Sequence, residues 1–471
     1  MNTTTNAIVA LFGFALTAAC AEQQYHPRPM TAADSAASFE ARSLADPGLR
    51  TFAEKYLGHP VSPWPPAWDL QTLSLAALYF NPELDAARAR IAESQAALVT
   101  AAARPNPTFS IAPGIPSPYL LTLDLSIPLE TAGKRGYRIQ AARSLDQAAR
   151  FDLADAAWHV RSEVRAAMLE CLVAAELLAV LRSEAAVRED QVRILERMVS
   201  SGELPRLGLD VARIELSKTR VASSTAQGDV AEAKATLAAA IGIPQAALAE
   251  ARFSRPSLNA LPSGHTFSLE AIQRDAVLNR LDVRRALARY GAAESDLQLE
   301  IARQRPDINI GPGYTYEERH SFFTVGLSTA VPIFNRNQGP IAEAEAHRQE
   351  AAAVFLDTQA QVIAKSGRAL ARYTAALEEL AEAERGVKLL QDQRQAIEQS
   401  VRAGASDRLD LDDADIQASS AERARLDALA RAQRALGELE DAVERPLVSG
   451  DELPTNLESP ALIEPPVRAK K

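Results

Sequence analysis

Two stretches of alternating side chains constrain the fold of this chain more than any other feature. In residues 307–334, apolar residues alternate with small or polar ones, and the polar break 317–320 divides the stretch into two runs. Successive side chains of a strand point to opposite faces, so this pattern predicts a β-hairpin with one apolar face and one small, polar face. Residues 108–129 repeat the pattern, with leucine or isoleucine at every second position between 121 and 129.

These two hairpins admit two interpretations. Four strands do not close into a cylinder, and unpaired strand edges are not tolerated in lipid, so a membrane barrel would need strands from several copies of the chain. Apolar-out, polar-in alternation over about ten residues per strand is what such a barrel requires. The alternative is a pair of hairpins packed on a soluble core.

Composition narrows the function class. The 471 residues are 47% hydrophobic, and much of that content is alanine, which favours long helices. The net charge of −10 gives no electrostatic support for nucleic-acid binding. The six histidines lack ligand spacing, and no nucleophile–base or phosphate-binding motif occurs, so we predict no enzyme activity, no cofactor and no metal site. After the N-terminus no apolar run reaches 18 residues, which predicts no transmembrane helix in the mature chain.

The N-terminus resembles an export signal. A short apolar segment, 7–19, ends in small residues before Cys20, like the cleavage box of a bacterial lipoprotein. We therefore predict a signal peptide over 1–19 and lipidation of Cys20. Residues 20–68 are polar and contain several prolines, which predicts an irregular N-terminal segment. Cys171 lies in a helical apolar run and is interpreted as a small buried hydrophobe.

Very long helical runs dominate the rest of the chain. The proline-free runs 134–200 and 341–402 would each be roughly 100 Å long at 1.5 Å per residue. Each is followed by a glycine-containing turn and a return helix. A shorter helical stretch precedes each hairpin, over 70–103 with an interruption at Asn81-Pro82, and over 269–305.

The two halves align with each other. The matched pairs include Gly202 with Gly404, Arg206 with Arg408, Leu209 with Leu411, and Asp210 with Asp412. No gap is needed, so the chain is predicted to contain a duplicated helix–hairpin–helix–turn–helix unit. We place the first repeat at 69–245 and the second at 268–446. A connector, 246–267, joins them, and a flexible tail, 447–471, follows.

The long helices carry an apolar seam. In the second run, positions 373, 380, 387, 394 and 401 are seven apart, and apolar or alanine residues fill the intermediate positions of the heptads. Such a seam needs a partner helix along its length. Small residues on further faces would let each helix join a curved wall, whereas the seam alone is equally compatible with an ordinary antiparallel coiled coil.

Together, the lipoprotein-like signal, the duplication, the short hairpins and the glycine-centred turns form a recognisable combination. Over about residues 65–446 the chain resembles the TolC-type outer-membrane efflux proteins. The residues that carry the resemblance are Asn81-Pro82-Glu83-Leu84, Arg104-Pro105, Ile127-Pro128-Leu129-Glu130-Thr131-Ala132-Gly133-Lys134-Arg135, Arg305-Pro306-Asp307 and Val331-Pro332-Ile333-Phe334-Asn335-Arg336-Asn337-Gln338-Gly339. Within the family, the motifs at 127–135 and 331–339 are most similar to the cobalt–zinc–cadmium efflux branch.

This resemblance implies a fold that is mainly α with a small membrane β part. Three copies would give four strands each to a twelve-stranded barrel in the outer membrane, and long antiparallel coiled-coil helices would form an α-helical barrel through the periplasm. The implied function is a passive exit duct for cations or small toxic compounds. The implied partners are a periplasmic adaptor (membrane fusion protein), an inner-membrane pump of the resistance–nodulation–division type and outer-membrane lipid.

In the family, the helical turns at the periplasmic end contact the adaptor. The corresponding residues here are Gly202, Glu203, Leu204, Gly404, Ala405 and Ser406. The resemblance implies that these residues are the adaptor-contact tips.

A run of aspartates follows the second turn. Its members are Asp407, Asp410, Asp412, Asp413 and Asp415. Acidic residues favour the first turn of a helix because they offset its dipole, which accounts for Asp407 and Asp410. The alternative is functional: in three copies around a narrow tunnel end, Asp410, Asp412 and Asp413 would form a periplasmic gate or acidic ring that selects cations.

Two functions from different classes compete at this point. The first is the outer-membrane exit duct, and the second is a periplasmic coiled-coil scaffold or adaptor lipoprotein that forms no channel. A continuous lipid-facing side on the hairpins distinguishes them, since an adaptor does not need one.

Overall fold

The computed structural model describes residues 24–114, 120–249, 251–254 and 261–448. The signal peptide predicted over 1–19 and the lipidation site Cys20 lie outside the described residues. Of the described residues, 24–42 belong to one unit, which contains α1 (Ala32–Glu40), and Ser43 begins a second unit that holds the rest of the described fold.

The second unit shows the predicted duplication of elements. The first half contains α2 (Pro47–Leu57), α3 (Leu70–Phe80), α4 (Pro82–Ala102), β1 (Thr108–Pro113), β2 (Leu120–Leu129), α5 (Lys134–Ser200) and α6 (Arg206–Ile241). The second half contains α7 (Leu269–Asn279), α8 (Leu281–Ala302), β3 (Ile308–Glu317), β4 (His320–Thr329), α9 (Gln338–Arg402) and α10 (Arg408–Val443). Between them the connector contains two short 3-10 turns, Gln245–Leu248 and Gly264–Thr266.

The prediction of an irregular segment over 20–68 is wrong for much of its length, because α1 and α2 lie within it. At α2, the Asp46 side chain accepts hydrogen bonds from the Gly48 and Leu49 N–H groups, and Pro47 stands at the start of the helix. Aspartate followed by proline is a helix start as well as a loop signal. Buried Leu49 and Phe52 then pack this helix onto the rest of the unit.

The helix predicted over 269–305 is also two helices. The chain bends at Arg280, whose backbone is extended between α7 and α8. The Arg280 guanidinium donates to the Asp441 carbonyl oxygen at 2.7 Å and pairs with Asp282 at 2.7 Å. Because the contact with the Asp441 carbonyl oxygen comes from distant sequence and no proline marks the bend, the local pattern did not reveal it.

The predicted tail begins later than expected. Leu447 and Val448 pack against the second-repeat core, and the Leu447 N–H donates to Glu440 Oε1 at 2.9 Å. Residues 449–471 lie outside the described part of the chain.

The two hairpins join into one antiparallel sheet of order β1-β2-β3-β4. Across it, the register aligns Ile111, Leu123, Tyr314 and Phe323 on one face. One position along, it aligns Ser110, Asp124, Gly313 and Thr324 on the other face. The predicted alternation is therefore confirmed: it divides the sheet into an apolar face and a polar face.

Glycine on the polar face makes room for its neighbours. A Cβ on Gly313 would lie 2.5 Å from both Asp124 Oδ1 and Thr324 Oγ1, so a larger residue there would have to displace both side chains. The β3–β4 turn is tighter than the predicted break 317–320. Only Glu318 and Arg319 form it, both at positive φ, as a two-residue hairpin turn requires.

The sheet is incomplete within the chain. Among the described strands, β1 and β4 each pair on one side only, so both outer edges are open. The apolar face is also uncovered: Phe323 is 85% exposed, Val325 82% and Leu327 72%. The interpretation of hairpins packed on a soluble core is therefore wrong. None of the described helices is long and apolar enough to cross a membrane.

Each repeat has its own apolar core, and buried polar contacts join the two repeats. Helix α5 packs against α8 and α10 of the second repeat. Arg161 of α5 and Glu440 of α10 are each 1% exposed and lie 3.5 Å apart. Beside them Asp441 accepts hydrogen bonds from Trp158 Nε1 at 3.0 Å and from Ser162 Oγ at 2.7 Å. Removing one partner of such a pair would leave an uncompensated buried charge.

We expect Gly242→Ala to destabilise the fold more than Gly58→Ala. Both glycines end a helix at positive φ, where alanine costs about 1–2 kcal/mol. Only at Gly242 would the new Cβ also meet backbone, 3.1 Å from the Phe80 carbonyl oxygen, which adds roughly 1–3 kcal/mol of overpacking. Thermal unfolding of the detergent-solubilised variants measures the difference. Equal midpoints for the two variants would contradict it.

Candidate functional site

The two helical turns have the same backbone structure. Gly202 and Gly404 have φ angles of 82° and 75°, in the left-handed region that favours glycine. The Glu203 N–H donates to the Met198 carbonyl oxygen at 2.9 Å, and the Ala405 N–H donates to that of Ser400 at 2.9 Å. This six-residue closure is the Schellman cap, so both long helices end in the same way.

Side-chain contacts show that both turns lie at one end of the helices. The Gln191 Nε2 group on α5 donates to Asp413 Oδ1 on α10 at 2.7 Å, and Arg408 Nη2 lies 3.5 Å from Asp190 Oδ2. The last turns of α5 and the first turns of α10 are therefore neighbours. Of the six predicted tip residues, Ser406 is half-buried and the other five are exposed.

The structure divides the aspartate cluster. Asp407 and Asp410 form a reciprocal capping box: the Asp410 N–H donates to Asp407 Oδ1 at 2.9 Å, and the Asp407 N–H donates to Asp410 Oδ2 at 3.1 Å. Helix capping therefore accounts for both residues, as the dipole argument predicted. Asp415 pairs with Arg394 of α9, and Asp413 is exposed apart from its bond to Gln191.

Asp412 differs from the other aspartates because it is fully buried. Arg408 Nε lies 3.0 Å from its Oδ1, but neither carboxylate oxygen receives an aligned hydrogen bond from a described residue. Asp412 therefore does not lie on an exposed surface of the chain, as the candidate acidic ring would need. Asp410 and Asp413 remain on the surface.

Burial raises the pKa of Asp412 to about 6, from an ordinary value of 3.8. Arg408 opposes this increase in pKa, whereas the nearby carboxylates of Asp190, Asp415 and Asp413 add to it. The folded state therefore holds this proton more tightly than the unfolded state does. The stabilisation is complete below pH 3.8 and is lost as the pH rises through about 6.

The family-motif residues build the junction between strands and helices. Asp307, just before β3, accepts hydrogen bonds from the Thr131 N–H at 2.9 Å and from Lys134 Nζ at 2.7 Å. Burial opposes ionisation of Asp307, but these two donors outweigh it and lower its pKa. At the end of the same hairpin, after β4, Asn337 Nδ2 donates to the Glu300 carbonyl oxygen at 2.8 Å. The sequence identified these motifs, and the structure shows that they fix the sheet on the helices.

Two features of the tip escaped the sequence analysis. The burial of Asp412 depends on α5, which is distant in sequence. The pair Asp190-Gln191 recurs as Asp392-Gln393, so extending the alignment of the two halves into α5 and α9 would have singled it out. In the described ranges no three His, Cys, Asp or Glu side chains are grouped to hold a metal ion.

We expect Asp412→Asn to stabilise the protein increasingly as the pH rises. Ionisation of the buried carboxyl group destabilises the wild type, and the variant lacks this group. The free energy of unfolding of the variant, relative to the wild type, therefore grows by on the order of 1 kcal/mol between pH 5 and pH 7.5. Thermal unfolding at both pH values measures it. Asp427→Asn, at an exposed position on the same helix, is the control. An advantage that is the same at both pH values would contradict the burial argument.

Comparison with known proteins places this architecture in a family. The family model described as "Outer membrane efflux protein" matches residues 73–243 and 273–443, one segment in each repeat. The chain is 27% identical over 276 residues to a cobalt-zinc-cadmium resistance protein, CzcC, of Cupriavidus metallidurans, covering 58% of this chain and 64% of the relative. It is 25% identical over 240 residues to a nickel-cobalt-cadmium resistance protein, NccC, of Alcaligenes xylosoxydans, covering 50% of this chain and 52% of the relative.

A solved structure shares the fold. The outer membrane protein VceC of Vibrio cholerae superposes with a TM-score of 0.63 at 20% identity, over 80% of this chain and 97% of that one. At this identity the likeness establishes the fold alone, and the matches to the two resistance proteins span less than two thirds of their lengths. Because the family model covers most of the sequence, once in each repeat, the chain belongs to the outer membrane efflux protein family.

Proposed function

We propose that this chain is the outer-membrane channel subunit of a tripartite efflux system. In this role it is a passive exit duct for compounds expelled by an inner-membrane pump through a periplasmic adaptor. The observation that carries the proposal is the four-stranded sheet, with two open edges and an uncovered apolar face, fixed on helices of 67 and 65 residues.

The open edges support a homotrimer. In lipid each unpaired backbone group is costly, so β4 of one copy must pair with β1 of the next until the ring closes. Three copies supply twelve strands. A strand of about ten residues, tilted by about 45°, spans a lipid-facing band of about 25 Å.

The polar face then lines the channel. Ser110, Asp124 and Thr324 occupy it, and Gly313 keeps it open. A lining of small residues suits a wide, unselective passage.

The helices then form the periplasmic part of the duct. At 1.5 Å per residue, α5 and α9 are about 100 Å long. Their turns would meet the adaptor through the six tip residues, Gly202, Glu203, Leu204, Gly404, Ala405 and Ser406. The proposal includes a pump of the resistance–nodulation–division type and a lipid anchor on Cys20.

A divalent metal ion is the cargo that we propose. The two resistance proteins that resemble this chain are named for cobalt, zinc, cadmium and nickel. At the tip, exposed Asp410 and Asp413 from three copies would place negative charge near the entrance, which favours cations. Asp412 takes no part in this charge because it is buried.

Arginine on the two faces of β4 tests the barrel. We expect Val325→Arg to abolish assembly in the outer membrane, because Val325 is 82% exposed on the apolar face and arginine near the bilayer midplane costs about 2–4 kcal/mol. Thr324→Arg should still assemble, because Thr324 faces the water-filled side beside Asp124. Detergent extraction and native mass measure assembly. A wild-type protein that leaves membranes in carbonate as a monomer would exclude the duct and favour a periplasmic coiled-coil scaffold.

Deletion of the gene tests the cargo. We expect the deletion strain to become sensitive to divalent metals such as cobalt, zinc and cadmium, and the wild-type chain to restore growth. The minimum inhibitory concentrations of metals and of drugs measure this in parallel. Unchanged metal tolerance together with increased drug sensitivity would assign the duct to a drug pump.

A further inference from the structure

A three-residue cluster joins the two repeats near the tip. Arg408 of α10 lies 3.0 Å from Asp412 of the same helix and 3.5 Å from Asp190 of α5. The contact with α5 buries Asp412 completely. This cluster is the charged part of the packing of α10 on α5.

The same three residue types occur a second time. Aligning Gly202 with Gly404 relates Arg408 to Arg206, Asp412 to Asp210, and Asp190 to Asp392. All three counterparts are exposed. Within the described residues Arg206 and Asp392 form no ion pair. The second cluster is therefore present in the sequence but not assembled within one chain.

Two further positions near this cluster differ between the repeats. Within the chain, Arg423 of α10 pairs with Glu184 of α5 at 3.3 Å. Their counterparts are Val221 on α6, 65% exposed, and Gly386 on α9, whose missing side chain would meet nothing within 4 Å. A branched apolar side chain and a glycine with open space above it are complementary in shape. Both counterparts are uncharged, so a contact between them would leave no charge buried unpaired.

An exposed apolar stripe runs along the same side of α6. Leu207 is 74% exposed, Val211 53% and Ile214 55%. With Val221 they follow spacings of four, three and seven residues, which place them on one side of the helix. On α10 the counterpart of Val211 is Asp413, which is bonded to Gln191 of α5. The stripe on α6 therefore corresponds, in the alignment of the two repeats, to the surface of α10 that contacts α5.

We propose that α6 of one copy packs on α9 of the next copy as α10 packs on α5 within the chain, so that Arg206 and Asp210 meet Asp392 of the neighbour. Val221 covers Gly386 in the same contact. The inference rests on the proposed assembly of several copies and specifies which surfaces meet. Contacts within a chain and between chains then alternate around the tip, and this head-to-tail arrangement closes a ring.

Cysteine cross-linking in native membranes tests the contact. The variant carries Arg206→Cys and Asp392→Cys with Cys171→Ala, and a short bismaleimide is the reagent. We expect covalent dimers and trimers in denaturing gels. The matched control, Asp190→Cys with Arg408→Cys, should cross-link within the chain and add no mass. Single-cysteine variants account for reaction at Cys20, and the mismatched pair Arg206→Cys with Asp190→Cys should give no product.

The outcomes separate this inference from the proposed function. If the 206–392 pair gives only monomers while native mass still shows a trimer, the contact is wrong and the duct stands. If the wild-type protein is itself monomeric in mild detergent, the duct fails.

Charge reversal provides an independent measurement. Arg206→Asp or Asp392→Arg alone should lower the fraction of trimer that survives in detergent severalfold, and the double variant should restore it. A double variant no better than either single one would overturn the pairing, because two unrelated surface charges do not rescue each other.

Discussion

An unpaired strand edge in lipid is the constraint on which the rest of this structure depends. Among the described strands, β1 and β4 each pair on one side only, and a bilayer supplies no partner for an open edge. The apolar face of the same sheet is exposed, and contact of this apolar surface with water would be unfavourable. Both deficits are removed by the same event, closure of several sheets into one barrel. In the proposed assembly, each chain therefore contributes one part of a barrel that several copies complete.

Helix α5 joins the two repeats of the chain. It packs on α4 and α6 in its own repeat and on α8 and α10 in the other. Its counterpart α9 packs on α7, α8 and α10 of its own repeat and contacts the connector, and it exposes Val354, Leu356 and Leu389. The duplication thus gives two similar helices with different surroundings.

The same duplication explains where sequence patterns predicted the structure and where they failed. The hairpins and the long helices were predictable because alternation and heptad spacing are local and repeat over many residues. The bend at Arg280 was not, because the Asp441 carbonyl oxygen that binds the Arg280 guanidinium is distant in sequence. The helix Pro47–Leu57 begins with a proline, which is a loop signal as well as a helix start, and the Asp46 cap before it distinguishes the two.

The sequence by itself determined the elements, their duplication, the two faces of the sheet and the glycine-centred turns, because each depends on residues close together in the chain. Only the tertiary structure decided which of the aspartates in the cluster are exposed and which are buried. Asp410 and Asp412 are two residues apart, yet one caps α10 in water and the other lies under α5 with a raised pKa. The burial of a side chain depends on the helices that surround it, and a local run of aspartates does not show which helices these are.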